Sequence, residues 1–121
     1  MTGKRKRRRA KNAKKSTPHH NVYVIELDAK VMTNKKFLNA NPNFDPDKAC
    51  YYVGMTGHTP RKRFNQHKAN YKSNRFAREY GLWLRKKKFK KYNPMTFEQA
   101  VEREKQLADD LRAKGHAVWQ H

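Results

Sequence analysis

Two stretches of the chain concentrate β-branched and aromatic residues, and a third repeats its apolar residues at helical spacing. Asn21-Val22-Tyr23-Val24-Ile25-Glu26-Leu27 predicts a first strand, and Cys50–Met55 predicts a second, antiparallel to it. Gly54 and Gly57 break the second run, and Thr59-Pro60 opens a helix. Threonine is a favoured N-cap there, and proline suits the first helical position because its missing N–H costs nothing. This helix is expected to reach about Tyr71. Ser73-Asn74 then caps a short helix, Arg75–Tyr80, closed by Gly81. Leu82-Trp83-Leu84 begins a third extended segment that runs on into Tyr92, and Asn93-Pro94 ends it. Thr96 caps the last helix, with Glu98 and Gln99 in its first turn and Gly115 following Lys114 at its end. Ala117-Val118-Trp119 reads as a closing strand or extended tail.

One position in that last helix does not fit its own pattern. Phe97, Ala100, Val101, Leu107, Ala108 and Leu111 form an apolar stripe, and Glu104 falls inside it, whereas Glu102, Arg103, Lys105, Asp109 and Asp110 lie off it. A carboxylate on a core-facing row is costly unless a cation or a metal compensates it. It can also be a snorkelling side chain at the rim of the core, or a partner for Arg63. On the earlier helix Arg63 and His67 stand four apart and share a face near the end of the second strand, a constellation suited to handling phosphate. The plainer reading is a strand, a turn and a helix with a basic outer face.

Between the two strands, residues 28–49 lose periodicity, and Asn39–Asp47 is dense in turn formers. This stretch is read as a surface insertion with one helical turn near Lys35–Leu38. The chain thus divides into a basic arm, 1–20, and a single domain, 21–121, since 121 residues suffice for one small core and not two.

Charge changes the picture more than length does. Thirty Lys and Arg against ten acidic residues give +20, and only 36% of residues are hydrophobic. Such an excess predicts a polyanionic partner, nucleic acid ahead of an acidic membrane surface. No apolar run is long enough to span a bilayer, and no signal-peptide core is present at the N-terminus. Cys50 is the only cysteine, which excludes an intramolecular disulfide and a cysteine-rich zinc site; it is expected to be a small packed residue. An intracellular, reducing compartment fits: cytoplasmic or nucleoid-associated, or nuclear in a eukaryotic host.

In the arm, Lys4, Arg5, Lys6, Arg7, Arg8, Arg9, Lys11, Lys14 and Lys15 face no acidic residue, so it is expected to be disordered alone and to neutralise phosphates. His19-His20 is a weak metal pair, because adjacent side chains diverge. From Arg61 to Lys91 there are thirteen basic residues and one acid, Glu79. Phe76, Tyr80, Trp83, Phe89 and Tyr92 are interleaved with them, which favours a nucleic-acid surface over a solvated face. Arg61, Lys62, Lys68, Arg75, Arg85, Lys86, Lys87 and Lys88 are its candidate phosphate contacts.

These pieces, in this order, resemble the GIY-YIG nuclease domain. Val22-Tyr23-Val24 is similar to its first signature and Tyr52-Val53-Gly54 to its second, Arg63 with His67 to its Arg-x-x-x-His, and Ala100-x-x-x-Glu104 to its late helix. Tyr80-Gly81-Leu82 and Leu111–Trp119 also resemble small stand-alone members. The likeness covers residues 21 to about 120. It departs from the pattern at Asn21, which replaces a glycine, in the insertion, in one extra residue between Tyr52 and Arg63, and at His116, where many members carry asparagine.

The resemblance implies an α+β fold, a three-stranded antiparallel sheet flanked by helices. It also implies a metal-dependent endonuclease that hydrolyses phosphodiester bonds, on DNA first and RNA second. Its one cofactor would be a divalent cation, Mg²⁺ or Mn²⁺, on Glu104, with no small-molecule cofactor. The implied catalytic residues are Tyr23, Tyr52, Arg63, His67 and Glu104, with His116 as possible support. Arg63 would bind the phosphoryl oxygens, Tyr23 would deprotonate or orient the attacking water, and Tyr52 and His67 would position it. The alternative is a non-catalytic binder of the same fold, on structured RNA or the ribosome.

Overall fold

A computed structural model describes residues 17–121; the expectations for Lys4–Arg9 and the rest of the arm to residue 16 lie outside it. Four strands form one sheet in the order β3-β1-β2-β4: β1 Asn21–Leu27, β2 Cys50–Thr56, β3 Gly81–Leu84 and β4 Ala117–Gln120. The helices are α1 Lys35–Asn39, α2 Pro60–Lys68, α3 Arg75–Tyr80 and α4 Phe97–Ala113. Three short 3-10 turns link them, at Ala29–Thr33, Lys86–Lys88 and Lys90–Tyr92.

The β1–β2 hairpin is antiparallel without a register break from Asn21↔Thr56 to Leu27↔Cys50. The expected three antiparallel strands become four, because β4 joins β2 in parallel register, Cys50↔Ala117 to Val53↔Gln120. Gly115, at φ +98°, turns the chain back from α4 along that edge. A parallel neighbour needs such a crossover, and a four-residue strand leaves little pattern to read.

Residues 28–49 are not merely a surface excursion. Val31 and Phe37 are fully buried, and Phe37 meets Phe76 of α3 edge-on at 5.4 Å between ring centres. Asn41, 3% exposed, accepts from Val118 N–H through Oδ1, while Arg112 donates to Val118 O, so together they close the outer edge of β4. Asn93 does the same for β1: its amide accepts from Val22 N–H and donates to Val22 O beyond the end of β3. One buried residue per turn explains why no periodicity was visible in this insertion.

Tyr23, Ile25, Tyr52 and Gly54 share one face of the sheet, since Tyr23 lies opposite Gly54 and Ile25 opposite Tyr52. His67 from α2 and Phe76 from α3 pack on that face, the latter against Trp119. α4 runs along β2 and β4, burying Ala100, Glu104, Leu107, Ala108 and Leu111. Cys50 is buried, as expected of a small packed residue.

Candidate active site

α2 owes its position to Thr59, whose hydroxyl accepts from Lys62 N–H, and to Pro60 in its first turn. It ends at Lys68 rather than near Tyr71, because Asn70 and Lys72 take left-handed backbone angles, φ 62° and 45°. That loop does two things for the helix before it. Its carbonyls at Tyr71 and Lys72 accept from the two terminal nitrogens of Arg63, at 3.2 and 2.7 Å. At its end Asn74 N–H donates to His67 Nδ1 at 3.1 Å.

This last bond fixes the histidine. With Nδ1 accepting, the neutral ring carries its proton on Nε2, and Nε2–H donates to Tyr23 Oη at 2.9 Å. Burial, reinforced by the nearby Arg63 charge, pulls the His67 pKa down to about 4, so the ring is neutral at physiological pH. The Tyr23 oxygen is an acceptor in this bond, which leaves its own proton available to another group.

Tyr23 and Tyr52 are both buried, with ring centres 6.1 Å apart, and Tyr52 meets His67 edge-on at 5.4 Å. Burial pushes Tyr23 up to about 12 against the opposing pull of Arg63, and raises Tyr52 further. Tyr23 opposes ionisation of Tyr52, whereas Tyr52 favours ionisation of Tyr23, and the Tyr52 oxygen makes no hydrogen bond of acceptable geometry. Gly54 makes room for the first phenol: a Cβ there would stand 2.6 Å from Tyr23 Oη. Gly54→Ala should therefore displace Tyr23 and lower stability by ~1–3 kcal/mol, as overpacking does, measured by urea unfolding.

Glu104 is 5% exposed and reaches the cluster from α4; its charge raises both phenols. One carboxylate oxygen accepts from Gln120 Nε2 at 3.1 Å, and the other, Oε2, is buried without a partner. Burial raises its pKa. Among the described residues no three His, Cys, Asp or Glu side chains gather to hold a metal by themselves. The single orphaned carboxylate oxygen nonetheless suits a hard cation that keeps most of its ligands as water and phosphate oxygen.

The structure thus brings Tyr23, Tyr52, Arg63, His67 and Glu104 together and adds Gln120, which the sequence reading missed. The late side chain was expected at His116. That ring instead binds the Ala49 carbonyl through Nδ1 and lies 4.8 Å from Tyr51, the strand neighbour of Tyr52 that faces the other side of the sheet. An amide four residues further on was the available signal.

Several expected phosphate contacts are already engaged. Lys68 Nζ donates to the carbonyls of Arg78 and Gly81, so it closes the end of α3. Arg75 pairs with Glu79, and Arg85 with Glu26 at 2.7 Å. Phe76 and Phe89 are core residues. Arg61, Lys62, Lys86 and Lys87 remain exposed. His20 rests against Phe97 with its backbone bridged to Met95; its ring centre lies 4.4 Å from that of His19, and among the described residues no third His, Cys, Asp or Glu joins the pair.

A cluster on a β-hairpin, a basic helix and a late glutamate defines the class, a small α+β nuclease domain. The family model for the GIY-YIG catalytic domain matches residues 19–116, and the chain belongs to that family. Its members are nucleases that act on nucleic acid and typically use a divalent metal. No curated protein and no solved structure matches the chain significantly.

The buried histidine makes stability pH-dependent. His67 has a folded pKa below its unfolded value of 6.5, so its contribution is present above 6.5 and is lost as pH falls toward about 4. Stability should drop by up to ~3 kcal/mol across that window. Urea midpoints at the two ends measure it, and His67→Asn should flatten the dependence.

Proposed function

We propose that the protein is a divalent-metal-dependent endonuclease that hydrolyses phosphodiester bonds in DNA. The observation that carries this is Glu104 Oε2, a buried carboxylate oxygen with no hydrogen-bond partner, within electrostatic reach of the two phenols. Glu104 would hold one Mg²⁺ or Mn²⁺, with Gln120 fixing the other oxygen. When bound, the ion supplies Lewis-acid polarisation of the phosphate and stabilises the leaving oxygen.

The remaining work belongs to the chain's own groups. Arg63, pinned by two loop carbonyls, presents its other N–H groups to the non-bridging oxygens as charge develops there. Tyr23 is protonated at neutral pH, so it orients the attacking water through its free O–H rather than removing a proton at the outset. The Nε2–H of His67 would hold negative charge on Tyr23 Oη if that proton is passed on. Tyr52 backs the group, its buried ring edge-on to His67. Exposed Arg61, Lys62, Lys86 and Lys87 extend a surface for the backbone, and the arm adds phosphate contacts.

Action on genomic DNA would put the protein's work in the cytoplasm or nucleoid, or in the nucleus of a eukaryotic host. Among the described residues no helix is long and apolar enough to cross a membrane. Plasmid nicking with Mg²⁺ tests the reading: it should appear with the ion, vanish with EDTA and return with excess metal. Nicking that survives EDTA would overturn the metal role. Binding without cleavage of DNA or RNA in either metal would favour the non-catalytic binder.

A further inference from the structure

The face of the sheet turned away from Tyr23 and Tyr52 carries a second concentration of basic and aromatic groups. Trp83 lies on the edge strand β3 and is 50% exposed. It stands opposite Glu26, and Glu26 opposite Tyr51, so the three form one cross-strand row. The acid in that row is spent on Arg85, at 2.7 Å. Lys88 Nζ sits 5.3 Å from the centre of the Tyr51 ring, and His116 covers the same ring. Burial first, then repulsion from Arg85 and Lys114, lowers the Lys88 pKa, so Lys114 lies within electrostatic reach of it. Lys86 and Lys87 extend exposed from the same turn. Asp45, near Gly115, is folded back onto its own loop, accepting from Asp47 N–H.

Crowded cations with their one carboxylate already paired call for an anion, and an exposed indole at their edge calls for a flat apolar surface. Phosphate and nucleobase supply both on one polymer, provided the base is unpaired; a duplex offers that face only phosphates. We propose that the Trp83–Tyr51 row is a second nucleic-acid contact, in which an unpaired base stacks on Trp83 and the adjoining phosphates lie against Lys88 and Lys114. It shares with the proposed function only that nucleic acid is the partner, and it is independent of catalysis.

Binding of short labelled oligonucleotides by the full chain in EDTA separates the two readings, because cleavage plays no part. Trp83→Ala should weaken single-strand binding about 10-fold and change blunt-duplex binding by less than about 2-fold. Trp83→Phe should restore most of the loss. The Lys88→Gln, Lys114→Gln pair should flatten the single-strand salt dependence by about 1.4 in log–log slope. Thermal melts control for folding. If Trp83→Ala unfolds, quenching of Trp83 emission in the unaltered chain decides, over the background of Trp119 packed on Phe76. An equal loss on both substrates, no loss on either, a phenylalanine as weak as alanine, or unquenched emission would each overturn the proposal.

Discussion

Glu104→Ala is expected to abolish metal-dependent nicking and to leave DNA affinity unchanged or slightly higher. The carboxylate's unpartnered oxygen is the cluster's one anionic ligand atom, and removing it takes away several kcal/mol of charge stabilisation, ~10³-fold or more in rate. Affinity does not fall, because a negative charge leaves a site that binds a polyanion. Glu104→Gln adds a sign that separates catalysis from folding. Burial raises the folded pKa of Glu104, so its stabilising contribution is present below the unfolded value and is lost as pH rises through the folded one. At neutral pH without metal the charge is a cost, and the glutamine variant should melt at or above the parent. Glu102→Ala, on the exposed side of α4, is the control and should be tolerated. Full activity in Glu104→Ala would remove the metal-ligand role.

Arg63→Lys should lower the nicking rate by ~10²–10³ while non-specific affinity stays nearly constant. Lysine keeps the charge and the helix propensity but loses the planar fork that holds two oxygens at once. The structure adds a second consequence. Arg63 bridges the carbonyls of Tyr71 and Lys72, so the substitution should also lower stability by ~1 kcal/mol through lost hydrogen bonds. Rates taken well below the melting temperature keep the two effects apart. Arg61→Lys and Lys62→Arg are the comparisons; both residues are exposed, and Arg61 lies 5.4 Å from the Phe64 ring. A damaging Arg61→Lys beside a benign Arg63→Lys would move the site by two residues along α2. If all three are benign in an active protein, α2 is only an electrostatic surface.

What could be read in the sequence were features with local causes. β1 and α3 have the expected bounds, because a β-branched run and an Asn74–Gly81 bracket act on their own neighbours. Glu104 was visible because it interrupts an apolar stripe, and it is indeed buried. What escaped depends on contacts far apart in the chain. β4 forms only against β2, Phe37 is buried only once α3 is in place, and Gln120 joins the cluster from the end of β4. Of the two left-handed residues beyond α2, Asn70 is a type that favours such angles, but Lys72 is not and gave no warning.

The loop from Ala69 to Asn74 has an evolutionary consequence. It holds Arg63 through two carbonyls and His67 through one N–H, never through a side chain of its own. Tyr71 is 54% exposed and touches the cluster only with its backbone. Descendants of this chain can exchange the Tyr71 side chain freely, so long as positions 70 and 72 keep their left-handed turn, which asparagine or glycine favours and valine or isoleucine resists. Selection on this stretch therefore acts on backbone shape, and two side chains a helical turn apart are inherited as one unit.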